Sequence, residues 1–123
     1  MYIKEIVHID RDALEADVVV SDGVFDLLCY AQPFEAAEAE SLELSLTAYL
    51  SQNLMRATEQ TDCVLKTQDG YYSYRLQGRI VDRQDQLLAV GNLVIEIDGE
   101  IPGDIGEGES VAVDVMRVDL TIK

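Results

Sequence analysis

The C-terminal segment PGDIGEGESVAVDVMRVDLTIK (102–123) is the most informative about the fold, because its apolar side chains change phase part-way along. Up to Val115 they fall on odd positions, and from Met116 onward they fall on even positions. Successive side chains of a strand point to opposite faces, so a single flat strand cannot bury both sets. We therefore expect this strand to rotate its faces at a bulge or a sharp bend.

Two other long apolar segments contain an interior glycine at which a strand can kink. These glycines are Gly78 in YYSYRLQGRIVD (71–82) and Gly91 in LLAVGNLVIEI (87–97). Small barrels use long, bent strands that contribute to both halves of a closed sheet. The sequence thus predicts an all-β, mainly antiparallel fold, namely a small OB-like Greek-key β-barrel with at most one short helix.

Turn signals divide the chain into short strands. Asp-Gly, which accepts the positive φ of tight hairpins, occurs in SDG (21–23), QDG (68–70) and DGE (98–100). The segments DRQDQ (82–86) and PGDIGEG (102–108) are further turn signals. We expect strands at 2–9, 14–21, 24–33, 71–82, 87–98 and 110–122, and a shorter one at 63–67. No linker or repeat interrupts the chain, so we expect one domain over 1–123.

The segment FEAAEAESLELSLTAYLSQNLMRATEQ (34–60) fits two periodicities. Leucines and alanines alternate with Ser, Glu and Thr from 42 to 50, as in a strand, but leucines also recur every four residues, as on a helix. We favour a strand at about 41–48, followed by a short helix or turn through 50–58. One longer helix is the alternative, because Ala, Glu, Leu and Met have high helix propensity.

The run GEGESVAVDVMRVD (106–119) resembles a strand of S1-like or broader OB-fold barrels, in which Gly, a polar residue and alternating valines end in Asp. The matching residues are Gly106, Gly108, Val111, Val113, Val115 and Asp119. The resemblance covers this run alone, which lies at the C-terminal end here and mid-domain in the S1 pattern. It implies a barrel of five or six strands, a fold that often binds oligonucleotides or oligosaccharides.

Charge is the strongest compositional signal. The 24 Asp and Glu residues against 9 Lys and Arg give a formal net charge of −15. Such a surface repels phosphate backbones and anionic membranes and favours a basic partner. The chain has neither a long apolar span nor a signal-peptide pattern, and its two cysteines, Cys29 and Cys63, lie in apolar surroundings. We therefore expect a cytoplasmic protein with two buried, reduced thiols and no membrane contact.

The best nucleic-acid candidate is the strand that carries Arg75 and Arg79, with Arg83 just beyond it. A single-strand binder stacks bases on aromatic rings beside arginines that contact phosphate. Here Tyr72 and Tyr74 alternate out of phase with the arginines, so the two groups point to opposite faces. We favour tyrosines in the core and surface arginines paired with carboxylates.

The acidic loops offer a second candidate surface, for a basic protein partner. Its residues are Glu100, Asp104, Glu107 and Glu109. Their spacing does not match a calcium-binding EF-hand loop. The single histidine, His8, has no recognisable nucleophile partner, and the chain lacks a glycine-rich phosphate loop, so we predict no catalytic, metal or cofactor site.

Our leading hypothesis is a non-catalytic domain that binds another protein through an exposed strand edge or its acidic loops. The apolar segment LLAVGNLVIEI, if it lies on an edge, would also allow homodimerisation by strand addition. One alternative is single-stranded oligonucleotide binding by Arg75, Arg79 and Arg83. A second alternative is an acidic mimic of nucleic acid.

Overall fold

The computed structural model describes residues 1–41 and 43–122. Within these residues the chain forms eleven strands and one short helix. In chain order the elements are β1 (Tyr2–Asp10), β2 (Glu15–Ser21), β3 (Asp26–Ala31), α1 (Ala36–Ser41), β4 (Leu44–Tyr49), β5 (Gln52–Arg56), β6 (Cys63–Lys66), β7 (Tyr74–Asp82), β8 (Leu87–Val90), β9 (Leu93–Ile97), β10 (Ser110–Val115) and β11 (Arg117–Ile122).

One mixed sheet contains all of these strands. Its order is β1-β2-β3-β11-β4-β9-β8-β7-β10-β5, and β6 pairs with β7 outside this path. The pairs β3–β11 and β4–β9 are parallel, and the other pairs are antiparallel. The all-β, mainly antiparallel class predicted from the sequence is confirmed.

The predicted closed barrel is wrong, because this sheet has two ends. A barrel closes when its first and last strands pair. In the described residues β1 pairs only with β2, and β5 pairs only with β10. The sheet nevertheless wraps around one core, since strands far apart in the order contribute to the same hydrophobic cluster, for example Val18, Leu27, Ile95 and Val111.

The predicted change of phase is confirmed and occurs at Met116. The strands on either side of it have different neighbours: β10 lies between β7 and β5, whereas β11 lies between β3 and β4. The Met116 backbone N–H donates a hydrogen bond to the Tyr49 carbonyl oxygen at 3.1 Å. The single bulged strand predicted for a barrel is therefore two strands, each with its own neighbours. The buried side chains of the two strands include Val111, Val113, Val115, Val118 and Leu120.

The two glycines expected at kinks have different roles. Gly78 lies in the middle of β7, where one side of this strand changes its partner from β6 to β8. A Cβ atom at Gly78 would lie 2.1 Å from the Ala89 carbonyl oxygen, so a side chain is excluded there. Gly91, with φ +58°, forms the two-residue turn of the β8–β9 hairpin with Asn92. The single strand predicted at 87–98 is therefore two strands.

The ambiguous segment 34–60 contains a short helix followed by two strands. The strand predicted at 41–48 corresponds to β4, but its predicted first residue, Ser41, is the last residue of α1, and Leu42, where the alternation begins, lies outside the described residues. The single long helix is wrong, and so is the helix or turn predicted at 50–58, because residues 52–56 form β5 and pair with β10. Cross-strand pairing outweighs the local helix propensity of this segment. No helix among the described residues is long and apolar enough to cross a membrane.

Asp22 joins two turns that lie far apart in the sequence. Its carboxylate accepts hydrogen bonds from the backbone N–H groups of Val24 (2.9 Å) and Phe25 (2.7 Å) in its own turn. It also accepts one from Asn92 in the β8–β9 turn at 2.8 Å. These donors, led by Phe25, lower the pKa of Asp22 from 3.8 to about 2.

Replacing Asp22 by alanine is expected to lower the free energy of unfolding at neutral pH. The difference from the wild type is expected to disappear in acid. Because the folded-state pKa lies below the unfolded one, the carboxylate contributes stability above pH 3.8, and this contribution disappears as the pH falls through about 2. Urea unfolding of the wild type and Asp22→Ala from neutral to acidic pH measures the gap between their free energies of unfolding. Asp69→Ala, at an exposed carboxylate without a hydrogen bond in the described part of the chain, is the control. A gap for Asp22→Ala that does not narrow in acid would contradict this role.

Candidate functional site

The three arginines named from the sequence do not form one open cationic surface. Arg75 pairs with Asp114 of β10, with 2.9 Å between its Nη1 and Oδ1. Arg83 follows β7 and donates hydrogen bonds to backbone carbonyl oxygens of the loop at 101–105. Arg79 is exposed and has neither an ion pair nor a hydrogen bond within the residues described. Only this one of the three guanidinium groups is open to a ligand.

Three of the four acidic residues named as partner contacts are engaged within the molecule. Asp104 and Glu109 pair with Arg56 at 3.0 and 3.3 Å, and this arginine lowers the pKa of Asp104. Glu107 accepts a hydrogen bond from the backbone N–H of Arg83, the residue after β7, at 3.2 Å. Glu100 is exposed and has no such contact in the described part of the chain. These carboxylates hold their own loop in place, which leaves a smaller acidic surface than the sequence suggested.

The titratable groups considered for catalysis are scattered. His8 is exposed on β1. Cys29 is buried, and burial raises the pKa of its thiol. Cys63 is exposed, so the expectation of two buried thiols is wrong: in β6 it is the next residue, Val64, that packs against the core. The described residues contain no group of three or more His, Cys, Asp or Glu side chains that could hold a metal ion.

The longest free strand edge in the described residues belongs to β1, at the end of the sheet. Its register with β2 is regular from Glu5 to His8, with an irregularity on either side. Val7 and Ile9 are 53% and 50% exposed. Native proteins commonly protect an edge with charges, prolines or bulges, because a free edge pairs readily with another strand. The middle of β1 is only partly protected in this way.

Three tyrosines and a carboxylate lie beside β1 on the outer face of the sheet. Asp17 is opposite Val7 across β1–β2 and opposite Tyr30 across β2–β3, and such directly opposite residues share a face. The hydroxyls of Tyr71 and Tyr72 donate hydrogen bonds to the Asp17 carboxylate at 3.1 and 2.6 Å. We call Asp17, Tyr30, Tyr71 and Tyr72 the tyrosine surface.

The tyrosine surface is preorganised by its hydrogen bonds and ring contacts. The rings of Tyr71 and Tyr72 meet edge to face with centroids 4.8 Å apart, and those of Tyr30 and Tyr72 at 5.9 Å. The hydrogen bond to Asp17 raises the pKa of Tyr71, and burial followed by the same type of bond raises the pKa of Tyr72. Tyr71 is nevertheless 66% exposed. An exposed ring whose hydroxyl is fixed loses little conformational entropy on binding.

A cavity of about 620 Å³ lies on the other face of β1. Ile3 and Ile6 of β1 contribute to it and are opposite the core residues Val20 and Val18 of β2. The cavity therefore lies on the core side of the edge strand, and its wall is mostly apolar. The lining residues are Met1, Tyr2, Ile3, Ile6, Ala36, Ala39, Glu43 and Leu44.

Sequence reasoning did not identify the tyrosine surface. Of the two tyrosines predicted to lie in the core, Tyr74 is buried, and its hydroxyl accepts a hydrogen bond from the Leu28 backbone N–H at 3.0 Å. The prediction is wrong for Tyr72, which is only partly buried and binds Asp17 on the outer face. Tyr71 and Tyr72 were assigned to the start of the same strand, but they lie in the turn before β7. Their adjacency after QDG was the available signal, because two consecutive strand residues cannot both face the core.

The position of LLAVGNLVIEI was also decided by strand order. Its two strands, β8 and β9, each have a neighbour on both sides. This segment therefore offers no free edge for the proposed homodimerisation, and the longest free edge among the described residues is that of β1. No protein-family model, no curated protein and no solved structure matches this chain.

Proposed function

We propose that this protein is a non-catalytic binding domain that accepts an extended segment of a partner protein as an additional strand along β1. The observation that carries the proposal is the free edge of a nine-residue strand with exposed Val7 and Ile9. Strand addition uses the backbone hydrogen-bonding groups of such an edge, while side-chain contacts on the two faces select the partner.

The other free edges in the described residues are less suited to this role. β5 is short, and its Asn53 has φ +57° and donates a side-chain hydrogen bond to Asp114. Arg56, at the end of β5, is bound to the 104–109 loop. β6 has only four residues. A partner strand would therefore find a longer and more regular template at β1.

The two alternatives have less support. Oligonucleotide binding would draw on Arg75, Arg79 and Arg83, of which two are engaged, in a protein with a net charge of −15. An OB-like relationship, which would favour this function, depends on the run 106–119 alone, and this run divides into two strands at Met116. An acidic mimic of nucleic acid would need free carboxylates, and three of the four loop carboxylates considered have internal partners.

The probe for strand addition is the fluorescent peptide KVKVKVK, compared with an analogue that is N-methylated at alternate residues. The analogue keeps the side chains and charge but loses the backbone donors of one edge. We expect it to bind about tenfold more weakly or worse, since strand addition depends on these hydrogen bonds. Equal affinity for the two peptides would contradict strand addition.

A matched pair of protein variants locates the edge. Val7→Ala with Ile9→Ala is expected to weaken peptide binding about tenfold, because roughly 1.4 kcal/mol of apolar contact with the peptide, including the methylene groups of its lysines, is lost. The control is Val81→Ala with Val94→Ala, since these valines are similarly exposed (42% and 44%) but lie on interior strands. Fluorescence anisotropy at low salt measures both. An equal loss in the two variants would place the binding elsewhere.

A further inference from the structure

We infer that the segment bound at β1 is basic, with cationic side chains at alternate positions over the tyrosine surface and apolar side chains directed to the cavity on the opposite face. This inference rests on the proposed strand addition. It follows from the two faces of β1, because the side chains of an added strand alternate between them as those of β1 do.

The outer face favours a cation through its aromatic rings. Tyrosine rings of this molecule already lie close to cations, and one of them, Tyr30, belongs to the tyrosine surface itself: the guanidinium of Arg117 is 4.9 Å from the ring centroid of Tyr30 and 5.6 Å from that of Tyr49. The ammonium of Lys66 is 5.6 Å from the ring of Tyr74. In the described residues no cation occupies the exposed ring of Tyr71 in this way. Tyr71 is thus a vacant cation–π position beside the free edge.

Carboxylates strengthen the same preference. The Tyr71 hydroxyl donates to Asp17, which makes the ring more electron-rich, and Glu5 of β1 lies close enough to raise the Tyr71 pKa further. Glu5 is exposed and has no ion pair in the part of the chain described. Lys4, the one lysine of β1, is paired with Asp26. A lysine or arginine beside Tyr71 therefore gains an ion-pair partner as well as a ring.

The inner face favours apolar side chains at the intervening positions. The 620 Å³ cavity has room for several of them, and its walls are the side chains of Ile3, Ile6, Ala39 and Leu44 among others. A second copy of this chain is a poor occupant, because both copies would carry a net charge of −15. The observations therefore fit an alternating basic and apolar segment of another protein.

The experiment compares KVKVKVK, EVEVEVE and the non-alternating KKKKVVV by fluorescence anisotropy. We expect KVKVKVK to bind more tightly than either of the other two peptides, by about tenfold or more, and we expect its affinity to fall as salt is added. Tyr71→Leu should weaken KVKVKVK about fivefold, whereas Tyr71→Phe, which keeps the ring, should lose less. Tyr49→Leu is the matched control, since that ring already faces Arg117, and should leave the affinity unchanged.

The outcomes separate this inference from the proposed function. Equal binding of KVKVKVK and EVEVEVE, with both sensitive to N-methylation, would contradict the inference that the bound segment is basic. The proposed strand addition would still hold. Equal binding of KVKVKVK and KKKKVVV would overturn the alternation and reduce the interaction to net charge. Absence of binding by all three peptides at low salt would overturn the inference and the proposed function together. Thermal unfolding of each variant shows whether it is folded.

Discussion

Gly78→Ala is expected to cost the fold about 3 kcal/mol or more of its free energy of unfolding. The added Cβ would lie 2.1 Å from the carbonyl oxygen of Ala89 and 2.9 Å from its carbonyl carbon. Both atoms belong to the backbone of β8, whose Ala89 pairs with Arg79 and Val94, so the clash cannot be relieved by turning a side chain. Small domains have only about 5–15 kcal/mol of stability, so this loss is large.

Urea unfolding of Gly78→Ala and of the matched variant Gly103→Ala tests this prediction. A Cβ atom at Gly103 would have nothing within 4 Å, and we expect a change of less than about 0.5 kcal/mol there. If Gly78→Ala is expressed only as unfolded protein while Gly103→Ala folds, the prediction is met in its extreme form. Similar stabilities for the two variants would show that β7 and β8 are not in such close contact.

Arg83→Met is expected to cost about 2 kcal/mol and to release the 101–105 loop. The guanidinium donates hydrogen bonds to the carbonyl oxygens of Ile101, Pro102 and Ile105, and hydrogen bonds from a charged donor are among the stronger ones. The side chains of Ile101 and Ile105 are buried in the core. Loss of this one side chain therefore exposes apolar surface at two further positions.

Hydrogen exchange of the backbone N–H groups of this loop, those of Ile101 and of residues 103–105, measures this effect together with urea unfolding. Arg83→Lys should have an intermediate effect, because a single ammonium lacks the planar fork that reaches several acceptors. Arg79→Met is the control, since Arg79 is exposed and has no hydrogen bond or ion pair in the described residues. Equal and small losses for Arg83→Met and Arg79→Met would contradict the anchoring role of Arg83.

Local patterns predicted the strands and turns of this protein well. Alternation in the C-terminal stretch located the change of phase at Met116, and the Asp-Gly signals at 22–23 and 69–70 lie in turns. Segment 52–56 was misassigned, because its strand conformation depends on pairing with β10, which follows much later in the chain. Whether the sheet closes into a barrel also depends on pairings between strands that are far apart in the sequence. No local pattern predicts those pairings.

The candidate site was less predictable than the fold. The arginines were expected to pair with carboxylates, and Arg75 does so with Asp114. Arg83 binds backbone carbonyl groups instead, and Arg79 has no ion pair in the described residues. The tyrosine surface combines Asp17 of β2 with Tyr71 of a distant turn. Such a contact has no signal in either segment alone. Likewise, the edge position of β1 follows from the order of all the strands.

The most direct test of strand addition is hydrogen exchange of the β1 backbone with and without saturating KVKVKVK. Strand addition along β1 predicts slower exchange for amides of Tyr2–Asp10 that face away from β2, and unchanged exchange in β5 (Gln52–Arg56), the other end of the sheet. Slower exchange in β5 or in the 100–109 loop, with no change in β1, would contradict it.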